Sequence, residues 1–412
     1  MFPTERSSCW ARYPCLTLLT VALGWRIRVA VIATLAACGA LGGAAASASA
    51  SASSADARLG RALSALVRMP GGPPGIVSVV QRDGRREVFR RGVANLRTGA
   101  RIRLGDHWRI ASVSKAFSGA VALRLVAQGK LSLDDTIASR LPGLPAAWGS
   151  VTLAQALQHV SGLPDYSTSP AFQNQLRTAP RAPLMPAALI SFVADQPLDF
   201  PPGSAYHYSN TDNVVAALFA EAATGLSYER VLDQLVLSPL ALRHTSMPLG
   251  YRMPGAYVHG YDNNVRGTRA DGSEILNASA VWAAGGMVSA PLDLNRFARA
   301  YAGGRLFGGA ARAAQVQFRA GDGSDPPGPG QNAAGLALFR YRTRCGTVYG
   351  HTGNFLGYTT FMASTPDGTR SVTVHANTQL DWNPQLGNRV GSHAAFRALR
   401  RAFGLGVCAA LA

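Results

Sequence analysis

Residues 107–131 read HWRIASVSKAFSGAVALRLVAQGKL. The chain carries 40 basic residues. Two of them are lysines, Lys115 and Lys130, and both fall in this stretch; the rest are arginines. From Ser112 to Ala127 the apolar residues recur at helical spacing, and Gly129 marks the stop. Ser112 and Lys115 stand at i and i+3, on one helical face with side chains in reach of each other. A serine hydroxyl is a poor nucleophile without a base beside it. An amine serves as that base when burial lowers its pKa. A guanidinium stays protonated and does not. The need for an amine that can give up its proton is one physical reason for an arginine-rich chain to keep lysine at position 115. Lys130, in AQGKLSLDD after the helix, reads as an ordinary surface residue.

Two further motifs lie downstream. YHYSNTDNVVAALF places Tyr208-Ser209-Asn210 on a loop before an amphipathic helix. A phenol beside an ammonium shuttles protons, and an amide holds a carbonyl; a buried tyrosine and a helix-capping asparagine is the alternative. YGHTGNFLGY places His351-Thr352-Gly353 on or beside a strand, where the glycine lets a ligand backbone come close.

Around these motifs the texture changes along the chain. SASASASSADA (47–57) reads as a flexible lead-in, and RLGRALSALVRM (58–69) has helical spacing. GIVSVVQRDGRREVFRRGVAN (75–95) is two β-rich runs around Asp83-Gly84, a hairpin signal. Residues 131–280 read as helices and loops, punctuated by Pro and Gly. GDGSDPPGPGQ (321–331) reads as a surface loop. GLALFRYR, TVYGH, LGYTTFMAS and RSVTVHAN then read as strands, and a closing helix is expected over about 388–403. The expected fold is α+β, an α/β sandwich: one antiparallel sheet built from both chain ends with flanking helices, plus an inserted, mostly helical lobe. The expected organisation is a leader over 1–56, a sheet lobe from 57–130 and 281–412, and a helical lobe from 131–280, together one catalytic domain with its cleft between the lobes.

The formal charge is +18, with 47% hydrophobic and 15% charged residues. The hydrophobic fraction is ample for a buried core. The arginines are scattered and no nucleic-acid-binding signature is present, so nucleic acid is not expected as a partner. Coding bias spread over the surface accounts for the charge, and a polyanionic cell envelope is the functional neighbour it suits. RIRVAVIATLAACGALGGAAASASASAS, beginning at Arg26, has the basic, apolar and small-residue order of an export signal, with cleavage expected between Ala46 and Ala55. Its apolar run is too short to span a membrane. LAAC at 35–38 also resembles a lipobox, which would lipidate Cys38. Removing residues 1–50 takes away four Arg and one Glu, leaving a charge near +15. In the body only Cys345 and Cys408 remain; in an oxidising compartment they have one pairing, and two buried thiols is the alternative. There is no G-x-S-x-G, H-E-x-x-H, C-x-x-C or Walker A motif, and the eight His show no ligand spacing, so no metal or cofactor is implied.

Taken together, S-x-x-K, Y-x-N and [KH]-T-G, in that order on helix, loop and strand, resemble the penicillin-recognising serine hydrolases. That superfamily holds class C β-lactamases, D-alanyl-D-alanine peptidases and related esterases. The resemblance runs from about residue 60 to 408 and includes HVSGLPDY (159–166), PPGSAYHYSN (201–210), SPLALRHTSM (238–247) and AAGGMVSAPLDLNRF (283–297). It is nearest to the secreted serine D-alanyl-D-alanine carboxypeptidase/transpeptidase group, to which RCGTVYGHTG and the late cysteine also point, supporting a Cys345–Cys408 bridge. The resemblance implies Ser112 as acylated nucleophile, Lys115 as its activating partner and Tyr208 as proton shuttle. It implies Asn210 as the binder of the acyl amide, and His351 and Thr352 as the strand side of the site. The oxyanion hole would be the backbone N–H groups of Ser112 and Asn354, and Phe172 and Trp282 match aromatic cleft positions. It implies a peptidoglycan stem peptide or a β-lactam as substrate. Two positions depart from that group: where an Arg and a Thr help hold a substrate carboxylate, this chain has Phe339 and Asn354. An endopeptidase, esterase or amidase gains from that departure. A class C-like β-lactamase, a β-lactamase-fold esterase and a non-catalytic wall-binding protein are the competing readings.

Overall fold

A computed structural model describes residues 51–262, 269–319, 328–380 and 392–412. The export signal and Cys38, most of the loop expected at 321–331 and the expected start of the closing helix lie outside the described residues. From Ser54 onward the chain forms one compact unit.

Seven antiparallel strands make the main sheet: β1 (Gly75–Arg82), β2 (Arg85–Gly92), β3 (Gln331–Ala334), β4 (Phe339–Thr343), β5 (Gly346–Phe355), β6 (Tyr358–Ser364) and β7 (Ser371–Ala376). Their order is β2-β1-β7-β6-β5-β4-β3, so the first strand pairs with the last and both chain ends build one sheet. Asp83 and Gly84, at φ 48° and 75°, close the β1–β2 hairpin with the positive φ that its two-residue turn demands. Among the described residues, none of 131–280 joins this sheet; that stretch supplies helices and a two-stranded ribbon with Tyr261–Asp262.

Each face of the sheet is covered. Ile76, Val80, Phe361, Val372 and Val374 pack beneath helix α1 (residues 51–68) and the closing helix. On the other face lie α4 (Pro291–Ala302) and the segment carrying Ser112. Helix α2 (Ser114–Ala127) is buried on nearly all sides and forms the spine between the sheet and the helical region. Phe117 on α2 stacks on Phe297 of α4 with ring centroids 3.6 Å apart. Helix α3 (Asn210–Thr224) crosses α2 and ends at Gly225 in the left-handed region.

Three element boundaries differ from the sequence reading. The Ser/Ala tract is helical from residue 51, because Ala55, Leu59, Leu63 and Leu66 bury one stripe against the sheet and Asp56 pairs with Arg82. Local composition reads as a linker; tertiary burial makes it a helix. Gln331–Ala334, which starts on the last residue of the expected loop and was not expected as a strand, is an edge strand that lacks β-branched residues and exists through its pairing with β4. The closing helix, α5 (Ser392–Leu411), runs eight residues past its expected end. Gly404 and Gly406 weaken it locally, but Gly406 packs so tightly on β7 that an added Cβ would lie 2.9 Å from Val372 Cγ2. That extra length carries Cys408 to Cys345 in the β4–β5 turn, with Cα atoms 5.1 Å apart, a separation suited to a disulfide.

Candidate active site

The short strand Trp108–Arg109 pairs with Val288–Ser289 and delivers the chain to Ser112. Ala111 takes φ 49°, a strained value for a residue with a Cβ, and turns the chain sharply. Ser112 sits in the single 3₁₀ turn Ala111–Val113 that opens into α2, just ahead of the α-helix expected to contain it. It is partly exposed, whereas Lys115, one turn on, is fully buried.

Lys115 Nζ donates to Asn210 Oδ1 and to the Ala284 carbonyl, both at 2.7 Å, and reaches Ser112 Oγ at 3.3 Å. It also lies 4.9 Å from the centroid of the Tyr208 ring. Burial pushes the Lys115 ammonium down to about 7, with Asp165 and Asp212 pulling the other way. Near neutral pH this amine is therefore divided between its two protonation states, as a general base requires. The structure thus brings together Ser112, Lys115, Tyr208 and Asn210 from two separate motifs.

β5 closes the opposite side. An added Cβ at Gly353 would lie 2.2 Å from the Ile110 carbonyl oxygen and 3.1 Å from Ser112 N, so only glycine lets this strand approach the nucleophile's turn. His351 is fully buried; burial holds its imidazole down to about 3, and its ring meets Phe339 edge-on at 4.9 Å. Thr352 is directly opposite Phe361 in register. Asn354 Oδ1 accepts from Thr359 Oγ1 at 2.7 Å. Phe172 and Trp282 are both buried. Phe172 packs edge-on to Tyr166, and Trp282 donates to Glu229 Oε1 at 2.7 Å. The position expected to hold a carboxylate-gripping Arg is the buried Phe339, and the guanidinium of neighbouring Arg340 lies 4.9 Å over Phe318.

Sequence reasoning assigned no role to four residues of this site. Asp165 and Ser167 accept from Asn210 Nδ2 at 3.1 and 2.9 Å. His159 lies against the Tyr208 ring, centroids 4.4 Å apart, and its Nδ1 is 2.8 Å from Asp212 Oδ2. Burial raises the Asp212 carboxyl well above its usual range and holds His159 down to about 3. Polar residues inside an otherwise apolar stretch, HVSGLPDY, were the available signal for two of them, His159 and Asp165. Among the described residues no group of His, Cys, Asp and Glu assembles that could hold a metal ion.

The chain and its fold match known proteins. The β-lactamase family matches residues 63–395. A D-stereospecific amidohydrolase from Streptomyces sp. is 30% identical, with a TM-score of 0.69 over 80% of this chain and 96% of that one. A D-amino acid amidase from Ochrobactrum anthropi SV3 shares the fold, with a TM-score of 0.73 at 22% identity over 85% and 98% of the two chains. Esterase EstB of Burkholderia gladioli is 34% identical over 41% of this chain, and penicillin-binding protein 4 of Amycolatopsis lactamdurans 29% identical over 43%. The chain matches a little under half the length of these two relatives, 46% and 45%. By its family match and its fold, this chain belongs to the β-lactamase family.

Proposed function

We propose that this chain is an exported serine hydrolase that forms an acyl-enzyme on Ser112 with amides and peptides of D-configured residues, the chemistry of cell-wall D-alanyl peptides and of penicillins. The observation that carries the reading is Lys115: a fully buried amine near pKa 7, in reach of Ser112 Oγ and held by Asn210 and the Ala284 carbonyl. Neutral Lys115 takes the Ser112 proton as Oγ attacks the acyl carbon. The N–H groups of Ser112 and Asn354 receive the developing oxyanion. Tyr208 passes a proton to the leaving nitrogen as the C–N bond breaks, leaving an ester on Ser112 and a free amine. Water, or an acceptor amine, then attacks that ester and the serine regains its proton.

The D-configured substrate class is supported by likeness to the Streptomyces amidohydrolase, named for that stereospecificity. The D-alanyl-D-alanine carboxypeptidase reading keeps the same acyl chemistry but needs a cation for the substrate's terminal carboxylate. A buried phenylalanine at 339 supports amide hydrolysis without that grip. Export is supported by the leader and by the Cys345–Cys408 separation. Among the described residues no helix is long and apolar enough to cross a membrane. Contact with an anionic envelope is supported by the net charge and by a cavity of about 460 Å³ holding Arg344, Arg400 and Arg401 with no acidic residue in its lining.

The test is incubation of the protein with penicillin, followed by intact mass and drug turnover, alongside hydrolysis of D- and L-alanine amides. A stable adduct on Ser112 and a D-over-L preference support the reading. Rapid drug loss makes the chain a β-lactamase. The absence of adduct and of turnover refutes acyl-serine chemistry.

A further inference from the structure

The amide of Asn210 has no free N–H donor in the cleft. Its Oδ1 accepts from Lys115 Nζ, and its two N–H donors are taken by Ser167 Oγ at 2.9 Å and Asp165 Oδ2 at 3.1 Å. An N-acylated substrate, whose acyl carbonyl needs a donor here, must break one of these bonds, and a partly buried donor–acceptor pair is costly to separate. Beside this amide stands a carboxylate. Asp165 is partly exposed, receives the Ser167 N–H at 2.9 Å, and has no cationic side chain at ion-pair distance among the described residues. It also lies close enough to Lys115 to act on its charge.

Ser112 and Asn210 are held on the same lysine amine, so a carbonyl carbon at Ser112 Oγ puts its α-substituents next to the Asn210–Asp165 edge. An α-nitrogen is a single bond removed from the carbonyl's own α-carbon, so it is the first polar group of the acyl donor to meet that edge. A neutral acylamide finds its donor occupied there, while an ammonium finds an unneutralised carboxylate. Charge-assisted bonds of this type are about twice as strong as neutral ones.

We propose that Asp165, with Ser167 locking Asn210, selects acyl donors bearing a free α-ammonium: D-aminoacyl amides, peptides with an unblocked N-terminal D-residue, and their esters. The inference rests on the acyl-serine reading above and narrows its substrate class. The anion is presented by HVSGLPDY and the amide by YSN, so specificity comes from a contact between two motifs that are 45 residues apart.

The test compares D-alanine p-nitroanilide with N-acetyl-D-alanine p-nitroanilide on the full chain, with kcat and KM measured from pH 6 to 9. The free-amine substrate is expected to exceed the blocked one in kcat/KM by about 10- to 100-fold, the range of one charge-assisted bond. Its advantage is expected to fade above about pH 8, as the α-amine loses its proton, while the blocked substrate shows no such loss. Asp165→Asn keeps the oxygen acceptor for Ser167 N and removes the charge, so the ratio is expected to fall about tenfold, mainly through KM. Ser167→Ala frees one Asn210 N–H, so the blocked substrate is expected to gain severalfold relative to the free amine. A wild-type ratio at or below one, or a ratio unmoved by Asp165→Asn, overturns the proposal. If penicillin still labels Ser112 in that case, acyl-serine chemistry stands and only the ammonium preference falls. If Ser112 takes no label and neither anilide turns over, both fall.

Discussion

Replacing Lys115 by Met separates its catalytic work from its structural cost. With a pKa of about 7, half of the Lys115 amines are neutral at pH 7 and about one in a hundred at pH 5. Acylation of the wild type by penicillin is therefore expected to fall about fiftyfold from pH 7 to 5 and to level off above pH 8. Lys115→Met is expected to lose at least about 10³ in acylation rate, within the range for a general base, and to show no such profile. Lys115→Arg should fail equally, since the guanidinium keeps its proton. Stability should move the other way. The folded pKa lies below the unfolded value of 10.5, so between about pH 7 and 10.5 the unfolded chain binds more protons. Burying Lys115 thus costs most below pH 7, and the wild type gains about 2 kcal/mol on the Met variant from pH 7 to 9. Rates come from intact mass against time, and stabilities from urea melts at each pH. A flat wild-type profile between pH 5 and 8, or a folded Met variant with more than a tenth of wild-type acylation, refutes the assignment of Lys115 as the base.

Three further outcomes follow from the geometry. Gly353→Ala should cost about 1–3 kcal/mol and most of the acylation, because its Cβ would lie 2.2 Å from the Ile110 carbonyl oxygen; a thermal melt and penicillin labelling check both. Intact mass with and without reductant should show Cys345 and Cys408 oxidised, and Cys408→Ser should cost up to about 4 kcal/mol for a 63-residue loop; unchanged mass and melting would exclude the bridge. With Phe339 in place of a cation, converting the terminal carboxylate of a D-alanyl-D-alanine substrate to its amide should change kcat/KM by less than about threefold; a larger loss would reveal a carboxylate grip elsewhere.

Ser112, Lys115, Tyr208, Asn210 and Gly353 were legible because their chemistry constrains residue type: an amine that gives up its proton, a phenol near it, a position where no Cβ fits. The helix α2 and the strands β1, β6 and β7 were legible because they are buried on nearly all sides and read as apolar, β-branched or helix-spaced runs bounded by turn residues, and β2 because Asp83-Gly84 marks the hairpin. Nothing local marks residues 51–57 as helix or Gln331–Ala334 as strand, since both owe their form to partners distant in sequence. The same holds for the helix that continues past Gly404 to bring Cys408 to Cys345.

The sequence by itself determined the order of the S-x-x-K, Y-x-N and H-T-G motifs, on which the proposed reaction rests, since these are properties of side chains along the chain. It did not determine which groups face the substrate. Asp165 and Ser167 engage the N–H donors of Asn210, while His351, Phe172 and Trp282 withdraw into the protein and Asp212 hydrogen-bonds His159; each depends on tertiary packing. Hydrogen bonds and desolvation act at about 3 Å, and only the tertiary structure brings Asn210 and the Ala284 carbonyl within that distance of Lys115, Asp165 and Ser167 to Asn210, and His159 to Asp212.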